Sequence, residues 1–343
     1  MTDNKQGEYK CKITCIMPVY NAGRFLSQTI EMVINQTFKD FELIIIDDGS
    51  TDDSLSVARE YESRDNRIRV LRMDAPSGSA FQPRKAGIMA ARGEIIAPVD
   101  ADDVIEKDYL GKLLEKKEAT GANIVYPSIW RLMPDGGTAL LAPKEKQFFE
   151  REFEGRDCVK YTLDGWRINC GGGLIEKSLY IDAFEKFGSD DRYTRADEML
   201  SRQMLSITPK VAFSDVKYFY RLNHESVTQK KCLSIFDFDI SNLKLLEFTK
   251  RTFGSDSEEY RLANRQTFHG IFDSLRILNK NKFTPSDREK IYKLLGDLKK
   301  RVDIGLIKDC VSPRYRWLFG REMKTIQRVL RIVDAIRPEP SAG

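Results

Sequence analysis

The sequence has 343 residues, of which 41% are hydrophobic and 31% are charged, and its formal net charge is +4. This length allows one large domain with an appendage or two domains, and so mild a positive charge gives no support for nucleic-acid binding. No apolar run approaches the roughly 18 residues that span a bilayer, and residues 1–10 lack a signal-peptide core. We therefore predict a cytoplasmic protein. The six cysteines show no CxxC spacing, which predicts free thiols.

Strands and helices alternate in the predicted elements of the first hundred residues. Strands are predicted over 13–19, 41–46, 68–73 and 94–99. An uninterrupted apolar run such as FELIII is typical of a strand covered on both faces. The alternation predicts an α/β fold with a Rossmann-like, mostly parallel sheet flanked by helices. Pro98 conflicts with this pattern, because proline removes a ladder donor from a central strand.

An acidic cluster of Asp100, Asp102 and Asp103 follows the fourth predicted strand. Neighbouring like charges repel by roughly 1 kcal/mol per pair in water, so the cluster needs a cation or full solvation. Oxygen ligands without a nearby His or Cys favour Mg²⁺ or Mn²⁺ over zinc. The alternative is a solvated turn in which Asp103 caps the next helix.

The first two predicted strands end at residues 18–21 and 47–50. Ligands of parallel sheets bind beyond the carboxyl ends of the strands, so we predict that these residues share a crevice with the acidic cluster. The sequence contains neither a dinucleotide-binding GxGxxG after the first strand nor a P-loop. A bound pyrophosphate would then need a divalent cation, with Arg84 and Lys85 as supporting cations.

The N-terminal hundred residues resemble a family 2 glycosyltransferase of the GT-A fold. The segments that carry the resemblance are PVYNAGRFLSQTI, NQTF, ELIIIDDGSTDDS, the loop of residues 78–87 and RGEIIAPVDADD. A fainter resemblance continues to about residue 228 through CGGGLIEKSL, RADEML and YRLNHESVT, and the last hundred residues lie outside it. The resemblance implies metal-dependent transfer of a sugar, with inversion, from a nucleotide sugar, usually a UDP-sugar, to an acceptor hydroxyl.

The resemblance also implies roles for residues on the donor side. The residues that would bind the nucleotide are Pro18, Tyr20, Asn21, Asp48, Arg84 and Asp100. Asp102 would coordinate Mn²⁺ or Mg²⁺. Lys85 replaces the asparagine that commonly follows the loop arginine of the family, here Arg84. Considered without the resemblance, Tyr20 and Asn21 could simply build the turn, and Asp47 is the better candidate than Asp48 for structural hydrogen bonding.

On the acceptor side, the resemblance assigns Asp197 as the general base, with Glu198 as the fallback. Gly172 and Gly173 belong to a donor or acceptor loop, or to a plain turn. In the closing segment, Arg221 and Ser226 would contact phosphate. His224 would join Asp102 in the metal shell, or would be a polar surface residue. A charge on a helix surface is the alternative for Asp197.

We predict a flexible tail over residues 1–10, a GT-A domain over 11–230 and a helical region over 231–343. The domain would divide into a nucleotide-binding half, 11–105, and an acceptor half, 106–230. A basic amphipathic helix over 321–336 suggests peripheral contact with the inner face of the plasma membrane. Packing of this helix against the catalytic domain is the alternative.

These features predict an inverting glycosyltransferase that acts on a glycan or lipid-linked acceptor in cell-surface polysaccharide synthesis. Two other classes remain open at this point. One is a glycoside hydrolase that uses Asp102 and Asp197 as paired carboxylates. The other is a nucleotide-sugar-binding protein without turnover.

Overall fold

The fold is built on a mixed sheet. A computed structural model describes residues 11–165, 172–188, 196–222, 236–322 and 324–328. Its strands are β1 (Ile13–Val19), β2 (Phe41–Asp47), β3 (Ile68–Arg72), β4 (Ile95–Pro98), β5 (Val104–Ile105), β6 (Ile124–Leu132), β7 (Thr138–Ala142), β8 (Leu174–Glu176) and β9 (Val211–Arg221). The strand order is β3-β2-β1-β4-β8-β6-β9-β5, with β7 paired to β6.

The helices of this part of the chain are α1 (Gly23–Ile34), α2 (Ser54–Arg64), α3 (Phe81–Ala90), α4 (Tyr109–Thr120), α5 (Gly155–Leu163), α6 (Lys177–Phe187) and α7 (Ala196–Ile207). By its internal contacts the chain divides into two units. The first comprises residues 1–162, 166–192 and 196–224, and the second comprises 163–165, 193–195 and 225–343. The domain boundaries proposed from the sequence stay a prediction.

The N-terminal half of the sheet is parallel, because β1 pairs in parallel with both β2 and β4, and β2 with β3. Every residue of β2 is buried. On one face, Leu43 and Ile45 join a core that includes the apolar side of α1. On the other face, a Cβ at Gly87 of α3 would lie 2.7 Å from Ile46 Cδ1, so α3 packs closely against the strand. Coverage of this strand on both faces is confirmed.

Beyond β4 the sheet becomes mixed. β8 runs antiparallel to both β4 and β6, whereas β6 and β9 are parallel to each other. The predicted α/β class is confirmed. The sheet is parallel in its first half and mixed beyond β4.

Pro98 can lie in a central strand because its nitrogen is not required to donate a ladder hydrogen bond. The backbone N–H of Val99 donates to Ile16 of β1 at 3.0 Å. Because alternate backbone amides point to opposite edges of a strand, the nitrogen of Pro98 faces β8. β8 pairs with β4 only through Ile95 and Ile96, so no ladder bond is required of Pro98.

Two local predictions are wrong. Asp103 does not cap a helix, since β5 follows it directly and α4 begins at Tyr109 after Asp108. Arg84 lies in the first turns of α3 rather than on a loop.

In the second unit, every element that the structure describes is helical. These helices are α8 (Asp237–Phe253), α9 (Glu258–Lys280), α10 (Pro285–Arg301), α11 (Ile304–Ile307) and α12 (Pro313–Phe319). Phe319 of α12 packs on Phe268 of α9, with ring centroids 4.9 Å apart. The predicted helix over 321–336 is described only to residue 328, and residues 324–328 are helical.

Within the described ranges, no helix is long and apolar enough to cross a membrane. Cys11, Cys15, Cys158 and Cys310 are free thiols, as predicted, and the other two cysteines lie outside the described residues.

A buried carboxyl group in the second unit makes stability depend on pH. Asp239 of α8 is fully buried and accepts a hydrogen bond from the Ser274 hydroxyl at 2.7 Å. Burial raises the pKa of Asp239 from 3.8 to about 7. The folded state thus binds this proton more tightly than the unfolded chain, and this group lowers the free energy of unfolding as pH rises through that interval.

We expect Asp239→Asn, which carries no charge, to raise Tm at pH values above about 7 by roughly 4 °C or more. The gain should shrink as the pH falls toward 4, because the wild-type carboxyl is then neutral in the folded state. Differential scanning calorimetry across this pH range measures the difference in Tm between the variant and the wild type. Asp297→Asn, at a half-exposed position on α10, is the control. A gain that does not vary with pH would contradict the argument.

Candidate functional site

The carboxyl ends of three strands lie side by side at one edge of the sheet. β1 is central, with Val19 opposite Asp47 of β2 and Ile16 opposite Pro98 of β4. Since all three strands run in the same direction, the residues that follow them leave the sheet at the same edge. The predicted donor-side residues are located at this edge.

The acidic cluster forms a tight turn that is bound from inside the protein. The backbone N–H of Asp103 donates to the Asp100 carbonyl at 3.1 Å. The Asp103 carboxylate is 1% exposed and accepts the Tyr218 hydroxyl at 2.7 Å and the Arg221 backbone N–H at 2.9 Å. Burial, with the negative charges of Asp100 and Asp102, raises the pKa of Asp103 well above its ordinary value. We call residues 100–103 the acidic turn.

A buried guanidinium connects the acidic turn to α7. Arg84 is 2% exposed, and its Nη2 donates to Asp100 Oδ1 at 2.7 Å. Its Nη1 lies 3.8 Å from Asp197 Oδ2. Gly87, one turn further along α3, allows the close helix-to-sheet approach that brings Arg84 to this position. The predicted nucleotide-binding arginine is thus an ion-pair partner of two carboxylates.

Asp197, and not Glu198, is the acid of α7 that joins this network. The backbone N–H of Glu198 donates to Asp197 Oδ1 at 2.9 Å, and the Asp197 side chain remains 27% exposed. Burial raises the pKa of Asp197, while Arg84 acts in the opposite direction. Glu198 lies 3.8 Å from the buried Arg202. An ionisable carboxylate with a raised pKa is suited to take up a proton.

The first loop, Tyr20 and Asn21, is fixed by the loop that follows β2. Asn21 has a φ of +51°, a conformation that asparagine tolerates better than most residues. Its Oδ1 accepts the backbone N–H of Thr51 at 2.8 Å and the Thr51 hydroxyl at 3.3 Å. Tyr20 is 45% exposed beside it. Asn21 therefore has a structural function in the turn, whatever it contributes to a ligand.

The two aspartates after β2 both make hydrogen bonds within the protein. Asp48 accepts the Ser77 backbone N–H at 3.0 Å and the Ser77 hydroxyl at 2.8 Å, whereas Asp47 accepts the Ser50 N–H at 3.2 Å. Asp47 is therefore a structural hydrogen bonder as expected, and Asp48, which was not expected to be one, accepts two hydrogen bonds from Ser77. Sequence reasoning missed Ser77, although the Ser-Gly-Ser turn at 77–79 after β3 was a signal for a loop near this edge.

Gly172 and Gly173 are required for packing. A Cβ at Gly173, whose φ is +108°, would lie 2.5 Å from the Val125 carbonyl. Its backbone N–H donates to the Tyr109 hydroxyl at 2.7 Å. At Gly172 a Cβ would lie 3.2 Å from the Tyr218 ring. Their place in a donor or acceptor loop stays a prediction.

Arg221, at the end of β9, donates from Nε to the Asp102 carbonyl at 2.7 Å and from Nη2 to Gln28 at 3.0 Å. It thus supports the acidic turn, and its predicted phosphate contact is untested. Pro18 is a half-buried residue of β1. His224 and Ser226 lie outside the described residues.

The sheet, with its parallel first half, mixed extension and flanking helices, has the GT-A fold of glycosyltransferases. The profile described as glycosyl transferase family 2 matches residues 14–174. The putative glycosyltransferase EpsH of Bacillus subtilis is 40% identical over 291 residues, which cover 80% of this chain and 79% of that protein. The chain belongs to glycosyl transferase family 2.

Two further proteins are similar to this chain. The putative teichuronic acid biosynthesis glycosyltransferase TuaG of Bacillus subtilis is 37% identical over 107 residues, covering 31% of this chain and 42% of that protein. The crystal structure of S. aureus TarS residues 1–349 in complex with UDP-GlcNAc matches with a TM-score of 0.72 at 16% identity. That match covers 95% of this chain and 92% of the TarS chain, and it shows the shared fold.

We expect Asn21→Ala to lower the free energy of unfolding by about 2 kcal/mol, because alanine loses the Oδ1 acceptor and is disfavoured at positive φ. Urea denaturation measures the loss. Asn21→Asp is the matched control, since it keeps an acceptor oxygen and tolerates this conformation. Equal stability of the alanine variant and the wild type would show that the turn does not depend on this side chain.

Proposed function

We propose that this glycosyltransferase transfers a sugar from a UDP-sugar to a hydroxyl of a glycan or lipid-linked acceptor, with inversion at the anomeric carbon. The observation that carries the proposal is the contact of Arg84 with both Asp100 and Asp197. This contact places Asp197, the candidate base, near the acidic turn, which we expect to hold the donor. The fold shared with a UDP-GlcNAc complex supports a UDP-sugar donor, and similarity to TuaG supports cell-surface polysaccharide synthesis.

In the proposed reaction, Asp197 accepts the proton of the acceptor hydroxyl. The acceptor oxygen forms a bond to the anomeric carbon as the bond from that carbon to the diphosphate oxygen breaks, and UDP departs. Attack opposite the leaving group inverts the anomeric configuration. The raised pKa of Asp197 makes it a stronger base than an ordinary aspartate, and Arg84 holds its carboxylate beside Asp100. A donor held at the strand ends would place the diphosphate at the acidic turn.

The acidic turn fits a divalent ion that is shared with the substrate. Mg²⁺ is commonly held by one or two carboxylates together with substrate phosphates. Asp102 would supply such an oxygen, and Asp100 would share the ion through the carboxylate that also accepts Arg84 Nη2 at 2.7 Å. The Asp103 carboxylate is engaged by Tyr218 and Arg221. Within the described residues no group of three or more metal-binding side chains is present. His224 would be an additional ligand. Bound Mn²⁺ or Mg²⁺ would neutralise charge on the departing diphosphate.

We expect UDP release from a UDP-sugar in the presence of Mn²⁺ and loss of that release on chelation. Asp102→Asn should abolish Mn²⁺-dependent UDP binding. Asp197→Asn should leave UDP binding intact and reduce transfer by about 100-fold to 10,000-fold, because it removes the base. Coupled UDP detection and isothermal titration calorimetry with UDP measure the two effects. Asp215→Asn, exposed on β9, is the control. Full transfer activity in Asp197→Asn would disprove the assigned base.

The same experiment distinguishes the two alternative classes. Cleavage of a glycoside without any nucleotide would favour a hydrolase using Asp102 and Asp197. Thermal stabilisation by UDP and Mn²⁺ without turnover of any UDP-sugar would favour a binding protein. Membership in a glycosyltransferase family and the Arg84 contacts of Asp197 favour transfer over both.

We further propose that the helical unit contacts an anionic membrane surface, where a lipid-linked acceptor would be found. Leu318 and Phe319 of α12 are buried, whereas Trp317 of the same helix is 61% exposed. The guanidinium of Arg321 lies 4.7 Å from the centroid of the Trp317 ring. Exposed tryptophan with neighbouring basic side chains is characteristic of interfacial binding. Phe319 contacts Phe268, so α12 packs within the helical unit.

We expect the protein to float with phosphatidylglycerol vesicles and to remain behind with phosphatidylcholine vesicles. Trp317→Ala should reduce flotation several-fold, since it removes the apolar anchor. Met89→Ala, which truncates an exposed apolar side chain on α3, is the control. Equal flotation of the wild type and Trp317→Ala would exclude this residue as the anchor.

A further inference from the structure

The hydroxyl group of Tyr218 joins the two ends of the acidic turn. It accepts the backbone N–H of Asp100 at 3.1 Å and donates to Asp103 Oδ2 at 2.7 Å. Tyr218 belongs to β9 and lies more than a hundred residues further along the chain than its partners. One hydroxyl therefore fixes the first and the last residue of the turn at once.

The Tyr218 side chain is itself held rigidly. It is 3% exposed, and its ring lies against the ring of Tyr109, with centroids 6.0 Å apart. Gly172 approaches the edge of the ring so closely that a Cβ there would lie 3.2 Å from it. Close packing of this kind restricts movement of the ring and so fixes the position of its hydroxyl.

β9 also binds Asp102, one of the two residues between the ends of the turn. Arg221, three positions after Tyr218, donates to the Asp102 carbonyl at 2.7 Å and to Asp103 Oδ1 at 2.9 Å. The backbone of Asp100, the backbone of Asp102 and the side chain of Asp103 are thus all bound by one strand. Asp103 is turned inward by these bonds, whereas the Asp100 side chain remains 31% exposed.

We infer that Tyr218 is a positioning residue of the donor site: its hydroxyl sets the conformation in which the Asp100 and Asp102 carboxylates are presented to the nucleotide diphosphate and its divalent ion. The inference rests on the proposed function. Tyr218 makes no contact with the substrate in this role, and it acts through the backbone of the turn. Loss of the hydroxyl leaves the Asp100 N–H without its acceptor and Asp103 without one of its two donors, so the turn relaxes.

The test measures UDP affinity by isothermal titration calorimetry, with Mn²⁺ and with EDTA, in the full chain. Tyr218→Phe should weaken UDP binding by about tenfold in Mn²⁺. The loss should be smaller in EDTA, because the carboxylates of the turn act mainly through the ion. Melting temperature is recorded for every variant.

Tyr109→Phe is the matched control. Tyr109 is fully buried and its ring contacts the Tyr218 ring at a tilt. The phenylalanine variant loses one buried hydrogen bond, the one that the Tyr109 hydroxyl accepts from the Gly173 N–H. That bond lies outside the acidic turn. We therefore expect a similar decrease in melting temperature and a change in UDP affinity of less than about twofold.

Wild-type affinity in Tyr218→Phe, or an equal loss in Tyr109→Phe, would overturn the inference, since the tyrosine would then serve packing alone. If Tyr218→Phe does not fold, Asp103→Asn tests the same bond from the other side, because an amide presents only one acceptor oxygen to two donors. Unchanged UDP affinity in that variant would equally overturn it. Absence of UDP binding by the wild-type protein in Mn²⁺ would instead reject the proposed function, and the inference with it.

Discussion

A charged guanidinium inside a protein is stable only where carboxylates or other acceptors meet it, because desolvation of an unpaired charge costs several kcal/mol. Arg84 in the first unit is 2% exposed, so its charge requires such partners. Asp100 from the end of β4 and Asp197 from the start of α7 both approach it. One buried cation thus joins the neighbouring α3 and β4 to α7, which lies far along the chain. The position of Asp197 relative to the acidic turn follows from this requirement.

Much of the first half could be predicted from local pattern. The uninterrupted apolar run of β2 indicates a strand covered on both faces, and alternation with helices indicates parallel order. The acidic turn is visible because three carboxylates follow an apolar strand directly. The role of Asp197 is predicted only from its resemblance to a family motif and not from any local physical signal, and its contact with Arg84 is not visible in the sequence.

The remainder depends on contacts between residues far apart in the chain. The capping rule applied to Asp103 considers only the next few residues, whereas its carboxylate is bound by Tyr218 and Arg221 of β9. In the same way, the Asp48 carboxylate accepts a hydrogen bond from the hydroxyl of Ser77, which is not a sequence neighbour. The antiparallel pairing of β8 with β4 also joins residues far apart in the chain. In addition, β8 has only three residues, too few for its periodicity to predict a strand.

The short ladder between β4 and β8 has a consequence for the carboxyl edge of the sheet. Pairing stops after Ile96, and the imide nitrogen of Pro98 prevents the next hydrogen bond on that side. The two strands are therefore not paired near the carboxyl end of β4, where Gly172 and Gly173 lead into β8. A proline in the middle of the sheet thus ends the β4–β8 ladder through backbone chemistry alone, and no side chain is needed to separate the two strands.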